Sequence, residues 1–184
     1  MKSQVEKRKP QGIVDYVALA LTTCGVGYIP GAPGTYGSAI GVAIYFCAVK
    51  MFGSLRYGAN LSSPETLVAA VHAGILTALL LFCLVGIWAS TRSIELLGNT
   101  DASQAVVDEV MGQLVVFLFI PFTTSWLLIA AGFFLFRFFD IFKPYPIDDL
   151  QDLPGGLGIC GDDLVAGVYA GVCLAIGNAI YLAL

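Results

Sequence analysis

Apolar residues run in blocks along this chain, and polar positions collect between the blocks. Stretches of membrane length or slightly shorter fall at about 38–53, 67–89, 104–119, 123–141 and 163–184. Gly53 and the Ser62-Ser63-Pro64 turn separate the first two, and Pro121 with Thr123 and Thr124 separates the third from the fourth. Ser103 stands where it would cap the third. The pattern predicts an all-α, multi-spanning helical membrane protein of about five apolar helices, built as one domain over residues 1–184. The segment 104–119 is short for an untilted crossing of ~30 Å, and is read as a short or re-entrant span. Ahead of these blocks, a basic stretch over residues 1–12 leads into a short apolar run from Ile13 to Cys24. Asp15 interrupts that run and no small-x-small site precedes Gly25, so it is read as an interfacial N-terminal helix rather than a signal peptide.

Composition agrees with the pattern. The chain is 58% hydrophobic and 12% charged, against ~25% charged in soluble domains. Nine basic against thirteen acidic residues leave a net charge of −4, and no basic stripe offers itself to nucleic acid. No nucleic-acid partner and no obligatory protein partner is expected. The five cysteines form no C-x-x-C pair and read as small apolar fillers. His72 is the one histidine, too few for a histidine-rich zinc site, and reads as packing.

With five crossings, the loops 1–37, 90–103 and 142–162 share one side of the bilayer. That side carries Lys2, Lys7, Arg8, Lys9, Arg92 and Lys143, with Arg137 just inside, whereas the other carries Lys50 and Arg56. The positive-inside rule places the first set in the cytoplasm. The same parity gathers acids. Asp108 and Glu109 open the third segment, the chain turns at Pro121, and Asp140 closes the fourth at the same end. At 1.5 Å per residue these acids lie ~20 Å and ~28 Å from the turn, near enough for tilted helices to join them. Asp162 and Asp163 sit at the expected start of the fifth span, where the helix dipole favours negative charge and capping is an alternative for one of them. Carboxylates in low dielectric pair, neutralise or bind a cation, and basic partners are few here. Asp148, Asp149 and Asp152 read as solvated loop charges outside the site.

Four stretches carry chemistry: Pro33-Gly-Thr-Tyr-Gly-Ser38, Val107-Asp-Glu-Val-Met-Gly-Gln113, the run from Phe136 to Ile147 containing F-R-x-x-D-x-x-K-P, and Gly155 to Gly167 containing D-D-x-x-A-G. Together and in this order they resemble the phosphatidylglycerophosphatase A family, over most of the chain from about Gly27 to Gly167. The resemblance implies a membrane-embedded, Mg²⁺-dependent phosphatase that hydrolyses phosphatidylglycerophosphate to phosphatidylglycerol in phospholipid biosynthesis. It implies a bacterial inner-membrane location, a phospholipid substrate drawn from the bilayer, and metal-binding, catalytic acids at Asp108, Glu109, Asp140, Asp162 and Asp163.

The residues themselves suit phosphate chemistry. Hard carboxylate oxygens match Mg²⁺. Arg137 shares a helix face with Asp140, where its guanidinium binds phosphate, pairs with Asp140, or snorkels to the interface. Lys143 meets either the phosphate or the anionic bilayer surface. In the loop opening the first span, Gly34 lets amide groups converge, and Thr35 or Ser38 caps the helix or touches phosphate. Gly155, Gly156 and Gly158 form a lid or a plain connector. The chain has no C-x5-R thiolate loop and no D-x-D-x-[TV] motif, which leaves attack by water or an aspartyl-phosphate intermediate. A cation transporter using the same carboxylates is the alternative reading.

Overall fold

A computed structural model describes residues 5–58, 64–99 and 102–183. Lys2, the Ser62-Ser63 turn, Leu184 and the side chain of Arg56 lie outside the described residues. Within them the chain forms helices α1 (Gly12–Thr23), α2 (Pro33–Gly58), α3 (Pro64–Leu97), α4 (Val107–Val116), α5 (Trp126–Phe142), α6 (Ile147–Leu150) and α7 (Gly156–Ala183). A 3₁₀ turn, Phe117–Phe119, follows α4.

The all-helical expectation holds, but five crossings do not emerge. Among the described residues, three helices are long and apolar enough to cross a membrane: Pro33–Gly53, Glu65–Leu97 and Gly156–Ala183. The 17 residues of α5 reach ~26 Å at 1.5 Å per residue, somewhat short of a full hydrocarbon core. The segment expected at 104–119 corrects to the 10-residue helix α4, which reaches only ~15 Å. It starts at Val107 behind Val106, whose amide bonds the Thr22 carbonyl at 2.9 Å, so Ser103 does not cap it. The chain then turns and returns as α5. Tyr45 of α2 pins that turn, its hydroxyl accepting from the Thr123 amide at 3.0 Å and its ring stacking on Phe117.

Close packing explains why so short a helix is stable in the middle of the bundle. The α2 face carrying Gly34, Gly37 and Gly41 lies against Val106, Glu109, Val110 and Gln113, and on the other side Gly167 of α7 abuts the Gly112 carbonyl. Small residues let the backbones approach, so van der Waals contact replaces the hydrophobic drive that is weak inside a bilayer. Beyond α4, Phe136, Ala166, Ala170 and Leu174 join Val116, Phe117 and Ile129 in one buried cluster. The outer faces are apolar and exposed, including Leu80, Leu84 and Trp88 on α3, Phe134 and Phe138 on α5, and Ile176 and Ile180 on α7. Such a continuous apolar exterior fits lipid better than water.

Two helix starts and ends differ from expectation. Helix α3 runs past 89 because its polar residues find partners: Ser93 meets the Thr22 hydroxyl at 3.0 Å and Arg92 meets Asp15 at 2.7 Å. Helix α7 begins at Gly156 rather than near 163. Gly155 makes the turn at φ 65, the Gly156 amide donates to Thr91 Oγ1 at 2.8 Å, and a Cβ on Gly156 would overlap the Ile87 carbonyl. The glycine-rich stretch is therefore a tight connector and a first helical turn, not a lid. Helix α1 exposes Ile13, Tyr16 and Val17 and packs its other face, with Asp15, Ala18 and Thr22 buried, toward α3.

Candidate functional site

Three helices bring their acids to one end of the bundle. Helix α4 contributes Asp108 and Glu109 from its first turn, where the dipole favours carboxylates. Helix α5 arrives from the opposite direction and contributes Arg137 and Asp140 from its last turns. Helix α7 contributes Asp162 and Asp163, 6% and 3% exposed. Because α7 has already begun at Gly156, neither aspartate is its cap, and capping no longer accounts for Asp162. A cavity of about 760 Å³ opens among them, lined by Asp108, Glu109, Asp140, Lys143, Asp162 and Asp163. Asp148, Asp149 and Asp152 are exposed, as expected, yet they belong to the same cavity wall, because α6 packs against α7.

The acids divide into two sets by their partners. Asp108, Glu109 and Asp163 each turn a carboxylate oxygen into one spot, all within 4.8 Å of one another. Asp108 Oδ1 and Glu109 Oε2 are buried there without a hydrogen-bond partner. Asp140 and Asp162 instead face cations. Lys143 Nζ lies 2.7 Å from Asp162, 3.3 Å from Asp140 and 3.8 Å from Asp163. Arg137 Nη1 lies 2.6 Å from Asp140 Oδ2, an ion pair by distance whose N–H is not aligned as a hydrogen bond. Of the readings open to Arg137, the structure shows the pairing with Asp140. Lys143 takes a place neither reading named, turned inward among aspartates. It closes α5 in the left-handed conformation at φ 42, with its amide bonded to the Phe139 carbonyl at 2.9 Å.

The loop before α2 sits beside this cluster. A Cβ on Gly34 would overlap Glu109 Oε1 and come within 2.9 Å of Arg137 Nη1. Thr35 stands next to it in the first turn of α2, its amide bonded to the Ala32 carbonyl at 3.0 Å. Ser38 is buried, and its hydroxyl donates to the Gly34 carbonyl at 2.9 Å.

Electrostatics follow the geometry. Burial, reinforced by the neighbouring Glu109, pushes Asp108 well above the ordinary carboxylate range. Burial pushes Glu109 up to about 7, with Asp163 and Asp140 adding to the rise and the adjacent Asp108 opposing it. For Lys143 burial works against the charge, but Asp163, Asp162 and Asp140 outweigh it and raise its value above that of a free lysine. An all-oxygen set that repels itself, with buried oxygens lacking partners, has the character of a hard divalent-cation site, and Asp108, Glu109 and Asp163 fit such an ion.

Two features escaped the sequence reading. Asp15, taken only as an interruption, is fully buried and holds Arg8 at 2.6 Å, Arg92 at 2.7 Å and the Gln11 amide at 2.7 Å. Arg8 also reaches Glu95 at 3.2 Å, tying the N-terminal stretch to the end of α3. A lone acid in an apolar run was the available signal. Gln113, one turn below Glu109, is fully buried with both amide atoms unpartnered. It closes the motif Val107–Gln113, whose pattern does not disclose its burial.

Residues 19–178 match a family model described as phosphatidylglycerophosphatase A. A phosphatidylglycerophosphatase A of Haemophilus influenzae is 32% identical over 163 residues, covering 88% of this chain and 88% of that protein. One from Escherichia coli K12 is 30% identical over 156 residues, covering 84% and 79%. A candidate phosphatidylinositol-3-phosphatase of Bacteroides thetaiotaomicron is 35% identical over 158 residues, covering 85% and 90%. No solved structure matches the chain.

Proposed function

The chain belongs to the phosphatidylglycerophosphatase A family, and from that membership we propose that it removes the terminal phosphate of phosphatidylglycerophosphate to give phosphatidylglycerol, with Mg²⁺ as its cofactor. It is a phosphoric monoester hydrolase, and the substrate reaches it from the bilayer. The observation that carries the metal-dependent reading is the convergence of Asp108, Glu109 and Asp163 on one spot within 4.8 Å.

Those three acids would hold the ion, which when bound supplies positive charge for the phosphate oxygens in a cavity that is otherwise strongly negative. Lys143 has three N–H donors; Asp162 and Asp140 take two, and the third serves a phosphate oxygen in the cavity it lines. Arg137, fixed by Asp140, places a second fixed positive charge beside Glu109 and the start of α2, where Gly34 packs closely enough to let the two groups meet. Ser38 supports that turn through its bond to Gly34 rather than by meeting substrate itself. Water attacks phosphorus and gives its proton to a carboxylate of the cluster; the phosphorus–oxygen bond to the lipid headgroup breaks, and the leaving oxygen takes a proton to become the headgroup hydroxyl. The positive-inside rule, applied to Lys7, Arg8, Lys9 and Lys143 at this end of the bundle, supports a cytoplasmic-facing site in a bacterial inner membrane. The transporter alternative is not favoured, since all five acids gather at one end.

The test is phosphate release by the purified chain in nanodiscs, with phosphatidylglycerophosphate and phosphatidylinositol 3-phosphate in parallel arms. Release of phosphate from the first, dependent on Mg²⁺, is expected. Faster release from the inositol lipid would move the substrate to the class named for the Bacteroides relative. No release from either lipid under any divalent cation would sink the enzyme reading.

A further inference from the structure

Charge and distance within the cluster separate the acids that can take an ion from those that cannot. Asp140 and Asp162 face two fixed cations, Arg137 and Lys143, at 2.6 Å and 2.7 Å respectively. Among the described residues, Asp108, Glu109 and Asp163 are left converging with no fixed cation as near, since Lys143 stands 3.8 Å from Asp163. Lys143 thus occupies the ground between the two sets, at the place where a second ion bridging Asp140, Asp162 and Asp163 would have to sit. Its backbone supports the same reading. Lys143 holds φ 42, a conformation that glycine or asparagine adopts more readily. A lysine there is unfavourable for the turn itself, and its side chain nonetheless lines the cavity.

We propose that Lys143 is a built-in counter-ion that fills the second cation position of the cluster, so that the site takes one divalent ion and not a pair. This rests on the metal-dependent reading of the site and adds to it the ion count and the residue that sets it. Two-ion phosphoryl-transfer sites place their metals ~3.5–4 Å apart across shared carboxylates. Here Asp163 belongs to the converging set and also lies 3.8 Å from the Lys143 ammonium.

The probe is Mn²⁺ alone, titrated into the full chain in nanodiscs and followed by electron paramagnetic resonance, without substrate or turnover. The wild type is expected to bind one Mn²⁺ tightly and to show no manganese–manganese coupling. Lys143→Gln is expected to bind two, with coupled spectra, and Lys143→Arg, which keeps the charge, to bind one. Two coupled ions on the wild type would overturn the counter-ion role, and that measurement does not depend on any variant folding. A single ion on a Lys143→Gln protein whose thermal melt matches the wild type would overturn it as well. No ion on the wild type would overturn the metal-dependent reading and this inference with it, which sets that failure apart from the other two.

Discussion

Gly34 lies directly against the carboxylate of Glu109, so closely that a Cβ at position 34 would overlap Glu109 Oε1. The first turn of α2 thus acts as a wall that fixes where one acid of the cluster points. Gly34→Ala should fold, because the neighbour it displaces is the end of a flexible side chain. Moving the carboxylate of Glu109 by ~1 Å should nonetheless lower kcat on the order of 10²-fold. Steady-state phosphate release and Mn²⁺ affinity, measured together, check this; a variant with wild-type values in both would show that the contact positions nothing.

Asp108→Asn and Asp163→Asn each remove a charge from the converging set. Either should reduce turnover by more than about 100-fold, beyond the usual cost of losing a residue that only orients a metal ligand. Asp149→Asn changes an exposed acid on the cavity wall and should leave turnover within about twofold of wild type, as surface substitutions away from specific features are usually near neutral. Equal damage from Asp149→Asn would move the rim acids into the site.

Metal binding and protonation should compete at Glu109. Its ordinary value is 4.5 and burial raises it to about 7, so the folded, metal-free protein binds more protons than the unfolded chain between those values. The sign follows directly: metal-free stability falls as pH rises from about 4.5 through 7, because ionising Glu109 adds uncompensated charge. Mn²⁺ affinity rises over the same window, since the ion displaces the proton. Thermal melts with chelator and with Mn²⁺ between pH 5 and 8 should diverge as pH rises. Parallel curves would contradict the shared site.

Asp15 is expected to behave in the opposite sense. Its hydrogen bonds from Arg8 and the Gln11 amide, and then Arg92, hold its carboxyl below the ordinary range against the cost of burial. A depressed carboxyl contributes fully above its ordinary value of 3.8, and that contribution is lost as pH falls toward the folded value. Asp15→Asn would leave Arg8 and Arg92 facing each other across a neutral amide. It should lower the melting midpoint at pH 7 and expose the stretch around Arg8 to trypsin sooner. Unchanged cleavage would mean that the Val5–Gly98 and Arg8–Glu95 backbone bonds hold the segment alone.

The sequence carried the gathering of the acids further than it carried their arrangement. Counting spans was enough to bring Asp108, Asp140 and Asp163 to one end, even though the third span proved to be a short helix. The in-and-out path of α4 and α5 preserves the parity that a full crossing and return would have given. The start of α7 was not legible, because glycines at 155, 156 and 158 argue for a loop until the approach of α3 to their backbone is known. Nor was the inward turn of Lys143, which depends on a left-handed conformation that lysine seldom adopts. Asp15 was visible as an oddity, but its partner Arg92 lies 77 residues away.

The glycine contacts around α4 have a consequence for how the protein meets membranes of different thickness. Long helices answer a thicker or thinner bilayer by tilting, and α3 is the most apolar of those able to cross. Helix α4 spans nothing, and main chain grips it on both sides, at Gly37 against the Val106 carbonyl and at Gly112 against the Asp163 carbonyl, 2.8 Å and 2.5 Å from where a Cβ would stand. Main-chain contacts have no rotamers through which to drift. Helices α2 and α7 should therefore move with α4 as one body, and turnover should stay level across lipids that tilt α3, which supplies none of the five acids.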